Sequence, residues 1–257
     1  MWEARHGFPQ PQRSRRGHRR YSASEVERVR RVREGRQAGM SLALAIRKVR
    51  EGGEAGDDSV FAELRRLQPG LEPRVLSKRA MLALSWAIEE ECLARAERPL
   101  LYAAFQRRRF YAAAEPRWRE LARTACASYV FADFPRPRRP RGRPVEIPLG
   151  GSSPMMREWL VACWDRRYVA CLVGWERPAA PSVEDRARSF EAVWSLAPEA
   201  VRDVVASCNR RVGLLDADLA RQASDWLEEH GAPPASDQLR AASALVGRVT
   251  AHLSAGG

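Results

Sequence analysis

The strongest constraint on the fold comes from two apolar segments that flank a short charged stretch. Residues 158–164 read EWLVACW and residues 168–176 read YVACLVGWE, with DRR between them. Alternating positions on either side of a short polar stretch are typical of a β-hairpin. The run PLLYAAF at 99–105 predicts a buried strand, and ASYVFADF at 127–134 predicts the next one. The second part of the chain is therefore expected to build a sheet.

Helical periodicity surrounds these predicted strands. Ser77 is the predicted N-cap of a long helix that ends near Ala96. Residues 107–125 also follow a helical period, although Pro116 should interrupt or restart that helix because it lacks a backbone N–H. The basic, proline-rich stretch 135–144 predicts a loop that cannot join a sheet. A mixed α/β module of the α+β class, with helices at its end, is therefore expected. Further helices are predicted at 184–211, 214–230 and 236–254, a weak one at 60–67, and an edge strand at 144–149.

Cysteine and histidine usage argues against metal sites and disulfides. The five cysteines form no CxxC pair and are odd in number, which favours small buried side chains over disulfides or zinc ligands. The four histidines are scattered, so we expect no metal site, and we expect no cofactor. No apolar run approaches the roughly 18 residues that span a bilayer, and no apolar signal sequence is apparent, so no membrane association and a cytoplasmic location are expected.

Catalytic signatures are scarce. The sequence has no P-loop, no GxGxxG after a strand, no GxSxG and no HExxH. The acidic run Glu89 to Glu91 resembles an acid/base cluster, but consecutive helical residues point in different directions, so a solvated helix face is predicted. The protein is therefore not expected to be an enzyme. The alternative is an enzyme acting on a phosphorylated substrate, and it requires Gln106, Glu158 and Arg188 to lie close together.

The positive charge is concentrated at the start of the chain. Residues 1–50 hold 14 Arg and Lys against 4 Asp and Glu, whereas residues 51–257 hold 30 against 28. A GC-rich genome would favour arginine in both segments equally, so it does not explain this asymmetry. A focused basic patch most often meets the phosphates of nucleic acid.

The basic segment is patterned. Within 8–12, prolines alternate with other residues, and a basic stretch that ends in glycine follows at 13–17. Residues 18–21 are expected to be extended. Together these features predict a short hairpin with a charged tip. Ser22 and Glu25 form a capping box for a first helix. Two apolar stripes follow, Val26, Val29 and Val32 on the first helix, and Leu42, Ala45, Ile46 and Val49 on a second one that Ser41 caps.

We expect the hairpin to contact the DNA backbone, because the guanidinium group pairs bidentately with phosphate. Its candidate contacts are Arg13, Arg15, Arg16, Arg19, Arg20 and Tyr21. A solvated arginine-rich tail and a non-specific RNA-binding arm are the alternatives, but disordered arms lack a patterned hairpin followed by two capped helices.

The tryptophans of the second part are ambiguous. Large aromatic side chains belong to the core by default, yet aromatic groups with a few polar partners also line ligand pockets. Gln106, Glu158, Glu176 and Arg188 lie near these aromatics in sequence and are plausible polar contributors. The candidate ligand-binding residues are Phe105, Gln106, Trp118, Glu158, Trp159, Trp175 and Arg188, and Trp86, Trp164 and Trp194 are further aromatic candidates.

The opening run WEARHGFPQPQRSRRGHRRYSASEVERV resembles the MerR family of transcriptional regulators, from the end of the recognition helix through the wing to the next helix. This resemblance covers about the first 50 residues and implies a winged helix-turn-helix that binds duplex DNA as a homodimer. The DNA-contacting set, from the resemblance and the hairpin together, is Arg5, His6, Arg13, Arg15, Arg16, His18, Arg19, Arg20 and Tyr21.

The second part is similar to the DICT sensory domain. The similarity rests on YAAFQRRRFY, WRELARTA, YVFADF, REWLVAC, GWERP and RSFEAVWSL. DICT domains accompany signalling and transcription modules, so this resemblance implies a small-molecule or protein signal. The expected fold is therefore a partial winged-helix segment followed by a mixed α/β sensory domain and C-terminal helices. The expected function is a one-component bacterial transcriptional regulator, and the alternative is a sensory or protein-interaction module without sequence-specific DNA binding.

The MerR pattern places a helix, a turn and most of a recognition helix before this tryptophan, so the first part of the winged domain is expected to be missing. A start codon assigned at an internal methionine and a genuine truncation both account for this. The family's long dimerisation helix is also not evident, which assigns dimerisation to the second domain or to the C-terminal helices. The expected division is a DNA-binding segment at 1–52, a linker at 53–75, the sensory domain at 76–212 and a helical extension at 213–257.

Overall fold

The computed structural model divides the chain into two compact units, residues 1–57 and residues 58–257. No helix of the part that the structure describes is both long and apolar enough to cross a membrane. The described residues are 59–178 and 185–255 in the second unit, and 7–9, 12, 13, 19–21, 26, 28–30, 32, 33, 36, 41–43, 45, 46 and 49 in the first.

The first unit contains the predicted hairpin. Strand β1 (Gln12–Arg13) pairs antiparallel with strand β2 (Arg19–Arg20), with Gln12 opposite Arg20 and Arg13 opposite Arg19. The charged tip was predicted at 13–17. Arg13 belongs to β1, and residues 14–17 lie outside the described residues, as does the predicted capping box at 22–25.

A small apolar core supports the first unit. Apart from Phe8, its members come from the two predicted helical stripes, and Val29 and Leu42 pack against it. Val26 was predicted to belong to the first stripe, but it is exposed, so the stripe begins one turn later. The unit therefore has its own core, made of Phe8, Val32, Ala45, Ile46 and Val49.

The second unit is built on a mixed sheet of seven strands in the order β3-β9-β8-β7-β4-β5-β6. The pairs β4–β5 and β5–β6 are parallel, and the other four pairs are antiparallel. The strands are β3 (Arg74–Ser77), β4 (Leu100–Ala104), β5 (Ala127–Ala132), β6 (Val145–Pro148), β7 (Glu158–Trp164), β8 (Val169–Glu176) and β9 (Ser189–Ser195).

Helices cover both faces of this sheet, because its strands carry buried apolar side chains on both sides. One face packs against α1 (Val60–Leu67), α4 (Pro198–Gly213) and α5 (Ala217–Glu229). The other packs against α2 (Lys78–Arg95), α3 (Arg108–Thr124) and α6 (Ala235–Ala255). The two C-terminal helices, predicted as an extension, therefore lie on opposite faces of the sheet.

Several local predictions are confirmed. Strands β7 and β8 form the predicted hairpin, and β4, β5 and the edge strand β6 lie where the apolar runs predict them. Ser77 caps α2 as predicted, since its Oγ accepts a hydrogen bond of 3.2 Å from the Ala80 N–H. These features depend on local periodicity and capping, which the sequence displays directly.

Two predictions are wrong. Residues 189–195 were predicted to be helical, but they form β9, because β3 and β8 pair with this segment on either side and bury Phe190 and Ala192 against the α2 face. Pro116 was predicted to interrupt or restart the helix expected at 107–125, but α3 runs through this proline. Pro116 and Ala112 are both exposed, so the Ala112 carbonyl that lacks a helical donor lies on the solvent side of the helix.

Helix α1 forms where a weak helix was predicted, inside the stretch predicted to be a linker, yet it packs in the core through Val60, Phe61 and Leu64. The buried carboxylate of Glu158 binds its N-terminus. It accepts from Ser59 Oγ at 2.5 Å, from the Phe61 N–H at 3.1 Å and from the Val60 N–H at 3.3 Å. Glu158 thus satisfies amides that have no partner within the helix.

Replacing Glu158 with alanine should destabilise the second unit by about 3 kcal/mol, because it leaves buried donors of α1 without an acceptor. Glu72→Ala is the matched control, since Glu72 is exposed and pairs with the exposed Arg74 at 3.5 Å. The control should cost less than about 1 kcal/mol. Urea unfolding followed by circular dichroism measures both values, and equal values for the two variants would contradict this role for Glu158.

Candidate functional site

A cleft of about 270 Å³ opens on the α2–α3 side of the sheet. Helix α2 forms one wall, α3 forms the other, and the ends of β4 and β7 form the floor. Its apolar lining is mainly aromatic, with smaller side chains from both helices between the rings. These apolar lining residues include Trp86, Phe105, Phe110, Trp159, Leu82, Ala113 and Ala114.

Two of the aromatic side chains, Phe105 and Trp159, are held in place by neighbouring side chains. Phe105 meets Trp118 edge to face with ring centroids 5.8 Å apart. Trp159 meets Phe190 in the same way at 5.5 Å, and its Nε1–H donates to Ser85 Oγ at 2.8 Å. The rings therefore present fixed faces to the cleft.

At one end of the cleft, charged side chains form a hydrogen-bonded network around Arg188. Its Nε donates to Glu176 Oε1 at 2.6 Å and its Nη2 to Glu176 Oε2 at 2.7 Å. Its Nη1 donates to Asp185 Oδ1 at 3.2 Å, and Lys78 also pairs with Asp185. Burial alone lowers the pKa of Arg188, but the hydrogen bonds and charges of Glu176 and Asp185 outweigh it and raise the pKa. Two cations thus face two carboxylates.

Gln106 belongs to this network and links it to the end of β4. Its Nε2 donates to Glu176 Oε2 at 3.0 Å, and its Oε1 accepts from Arg188. Its φ angle of 61° lies in the left-handed region, which is costly for a residue other than glycine. Its backbone carbonyl accepts from the Asp133 N–H at 3.2 Å, so interactions on both sides hold this conformation.

The other end of the cleft contains Glu89, which is only 4% exposed. Its Oε1 accepts from the Trp118 Nε1–H at 3.2 Å. Its Oε2 is buried and accepts no hydrogen bond, although Arg117 Nε lies 3.5 Å away. Burial raises the pKa of Glu89 to about 7, despite the opposing effects of Arg117 and Trp118. This carboxyl group therefore changes charge near neutral pH.

The prediction that Glu89, Glu90 and Glu91 form a solvated face is wrong. Helix α2 lies between the sheet, α3 and α6, so Glu89 and Glu91 are buried and Glu90 is partly covered. Glu91 pairs with Arg95 and accepts from Arg248 Nε of α6 at 2.5 Å. Glu90 accepts from Arg248 Nη1 at 3.1 Å. The covering helices carry the cations that these carboxylates need.

The structure brings four of the seven predicted ligand-binding residues together in the cleft. Trp118 lies behind the wall, and holds Glu89 instead of lining the cleft. Glu158 and Trp175 lie on the opposite face of the sheet, because they pair with each other across β7 and β8, whereas Trp159 points to the α2 side. The four residues that line the cleft are Phe105, Gln106, Trp159 and Arg188.

Among the polar and aromatic candidates outside that set, Glu176 binds Arg188, and Trp164 is buried on the opposite face with Nε1 donating to the His230 carbonyl at 2.9 Å. Trp86 and Trp194 are both exposed, and of the two only Trp86 lines the cleft. Because Glu158 lies on the other face, the polar cluster required by the enzyme alternative is not assembled.

Three residues that line the cleft were not selected from the sequence as ligand-binding candidates, namely Lys78, Phe110 and Glu89. The spacing of Ser85, Trp86 and Glu89, which places them on one side of a single helix, was the signal that could have identified Glu89.

The predicted DNA-contacting residues are only partly described. Arg13, Arg19 and Arg20 lie in the hairpin strands, and Tyr21 is exposed next to β2. Arg5, His6, Arg15, Arg16 and His18 lie outside the described residues. Within the part of the chain that the structure describes, no group of three or more His, Cys, Asp or Glu side chains is arranged to hold a metal ion.

Two protein families match the chain. Residues 1–52 match the MerR HTH family regulatory protein, and residues 58–177 match DICT, the sensory domain in diguanylate cyclases and two-component systems. The chain thus joins a MerR-family segment to a DICT sensory domain, as the sequence predicts, and both families are regulatory rather than catalytic. None of the curated proteins and none of the solved structures matches the chain significantly.

The titration of Glu89 predicts a pH dependence of stability. The pKa of Glu89 in the folded protein, about 7, exceeds the ordinary value of 4.5. Its contribution to the free energy of unfolding is therefore fully present below pH 4.5 and is lost as the pH rises to about 7. The loss should reach up to about 3 kcal/mol. Glu89→Gln removes this titration, so the variant should match the native protein near pH 5 and exceed its unfolding free energy at pH 8.

Glu120→Gln is the matched control, because it neutralises an exposed carboxylate of α3 that lies outside the cleft lining. Chemical unfolding between pH 5 and pH 8 measures all three proteins. Parallel profiles for the native protein and Glu89→Gln would contradict the raised pKa.

Proposed function

We propose that this protein is a one-component bacterial transcriptional regulator that binds duplex DNA through residues 1–52 under the control of the sensory domain. The observation that carries this proposal is the presence in one chain of two compact units with separate cores. The first matches a family of DNA-reading regulators, and the second matches a sensory family and contains a cleft of ligand size.

The charge distribution supports DNA as the partner of the first unit. Residues 1–50 carry a net charge of +10 out of +12 for the whole chain. Neutralising phosphate with arginine releases counterions, which drives association without requiring a base-specific contact. The hairpin β1–β2 corresponds to the wing, and its strands place Arg13 opposite Arg19. In this proposal the wing lies against the DNA backbone.

A homodimer is the proposed assembly, with α6 as its interface. One stripe of α6 is exposed and uncharged, although charged residues make up 30% of the chain. Its spacing of four and three residues is the heptad pattern by which helices pair. A second copy of the same stripe is self-complementary, whereas a charged partner would find no counter-charge on it. The stripe consists of Leu239, Ser243, Val246, Thr250 and Leu253.

The route from the cleft to this interface runs through α2. Its Ser85, Trp86 and Glu89 line the cleft, and its next two residues, Glu90 and Glu91, bind Arg248 of α6. In this proposal a ligand that shifts α2 changes the position of α6, and thereby the spacing of the two wings in the dimer.

Arg19→Ala combined with Arg20→Ala should weaken DNA binding and reduce the slope of log affinity against log salt by up to about two units, because each lost phosphate contact removes about one. The matched control is Arg65→Ala with Arg66→Ala, two exposed arginines of α1. Fluorescence anisotropy with operator DNA, selected from a random duplex library, measures the slope.

An unchanged slope in the Arg19/Arg20 variant would contradict the wing contacts, and so would an equal effect of the control. Binding that is salt-sensitive but enriches no sequence in the selection would favour a sensory or interaction module without an operator.

Leu239→Lys combined with Val246→Lys should dissociate the dimer, because it places two charges in the self-complementary stripe. The control is Leu214→Lys with Leu215→Lys, which adds the same charges at two exposed leucines between α4 and α5. Sedimentation equilibrium measures the mass of each. A dimer that persists in the first variant, or dissociates equally in the control, would contradict the α6 interface.

A further inference from the structure

We propose that the cleft binds a small aromatic amine, whose ring lies against the aromatic walls and whose protonated nitrogen pairs with the Glu89 carboxylate. This inference deepens the proposed function by giving the sensed signal a chemical class, and it rests on the sensory domain having a ligand. The incompletely paired Glu89 carboxylate, the aromatic lining and the size of the cleft together favour this class of ligand.

The Oε2 atom of Glu89 shows where the cleft lacks a hydrogen-bond donor. Buried polar atoms are hydrogen-bonded in the great majority of cases, because an unpaired one loses its hydration without replacement. Glu89 Oε2 is buried and accepts no hydrogen bond, and the cation closest to it, Arg117 Nε, lies 3.5 Å away. Of the described polar side-chain atoms that line the cleft, no other is both buried and without a hydrogen-bond partner. A positively charged ligand nitrogen adds to the incomplete neutralisation that Arg117 gives this carboxylate.

The opposite end of the cleft does not favour an anion. Arg188 and Lys78 are already matched by Glu176 and Asp185, and Gln106 uses both its amide oxygen and its amide nitrogen within the network. A carboxylate or phosphate on the ligand would have to displace these pairs. Of the described charged side chains that line the cleft, Glu89 is the one that no hydrogen-bonded cation neutralises, so a cationic group is favoured beside it.

The apolar surroundings specify an aromatic body. Phe105 and Trp159 present fixed ring faces, and Trp86 stands one helical turn from Glu89 on α2. Aromatic faces attract both flat rings and cations. The volume of about 270 Å³ equals that of about nine water molecules in the liquid. It accommodates a compound of one or two fused rings with a short side chain.

The charged groups around Glu89 leave room for one more positive charge. Arg117 of α3 approaches Oε2 but divides its charge between Glu89 and Glu90, each at 3.5 Å. Arg248 and His252 of α6 face Glu90 and Glu91 instead. The lining from β7 brings no charged side chain to the described part of the cleft. A cationic ligand would therefore bind best when Glu89 is ionised.

Three indole compounds that differ in one terminal group test the proposal on the full chain. Tryptamine carries an ammonium group, tryptophol a neutral hydroxyl and indole-3-acetate a carboxylate. Isothermal titration calorimetry at pH 8 should rank their affinities in that order. Tryptamine should bind at least about tenfold more tightly than tryptophol, as expected for a hydrogen bond to a charged group. Equal or weaker binding of tryptamine, or no binding of any of the three, would overturn the proposal.

Variants and pH locate the interaction. Glu89→Gln should weaken tryptamine binding at least about tenfold and leave tryptophol within about twofold. Glu120→Gln, which neutralises an exposed carboxylate of α3 outside the cleft lining, should change neither by more than about twofold. In the native protein, tryptamine affinity should fall about tenfold from pH 8 to pH 6, since Glu89 gains a proton over this range, while tryptophol affinity stays level. A tryptamine affinity that rises as the pH falls would overturn the proposal without recourse to any variant.

The outcome is separable from that of the proposed function. Tryptamine binding that depends on Glu89, in a protein that selects no DNA sequence, would retain this inference and remove the regulator. Operator binding in a protein that binds none of the three indoles would retain the regulator and remove this inference.

Discussion

The burial of Glu89 and Glu91 in α2, with Glu90 partly covered between them, is the constraint on which the rest of the second unit depends. Successive helical residues point about 100° apart, so each carboxylate must find its partners in a different direction. Glu89 meets Trp118 of α3, Glu91 meets Arg248 of α6, and Glu90 meets cations from both helices. The charge on α2 is therefore tolerable only when α3 and α6 are both in place. This requirement joins the cleft to the C-terminal helix.

Local signals account for most of what the sequence could predict. The cap at Ser77, the hairpin β7–β8 and the short hairpin β1–β2 depend on residues close together in the chain. Residues 189–195 follow a different rule, because the helical period there competes with strand pairing to β3 and β8, which are distant in sequence. Tertiary pairing prevails over local propensity at such a segment.

The candidate site was harder to predict than the fold for the same reason. Phe105, Gln106, Trp159 and Arg188 were found because aromatic and polar residues cluster near them, yet the same criterion also selected Trp175 and Glu158. Only the register of β7 and β8 separates the two groups, and register cannot be derived from one strand alone. Glu89 was dismissed because a run of acidic residues normally faces water, and the covering helix α6 begins about 145 residues later.

The adjacent positions of Glu158 and Trp159 at the start of β7 have a consequence for how this domain can diverge. One residue holds α1 on one face of the sheet, and the next forms the cleft floor on the other. Point substitutions can alter either role by itself. Inserting or deleting a single residue at this end of the strand would exchange the two faces, placing an indole under the amides of α1 and a carboxylate among the aromatic rings. Related domains should therefore vary in length within their loops and keep the spacing of this strand.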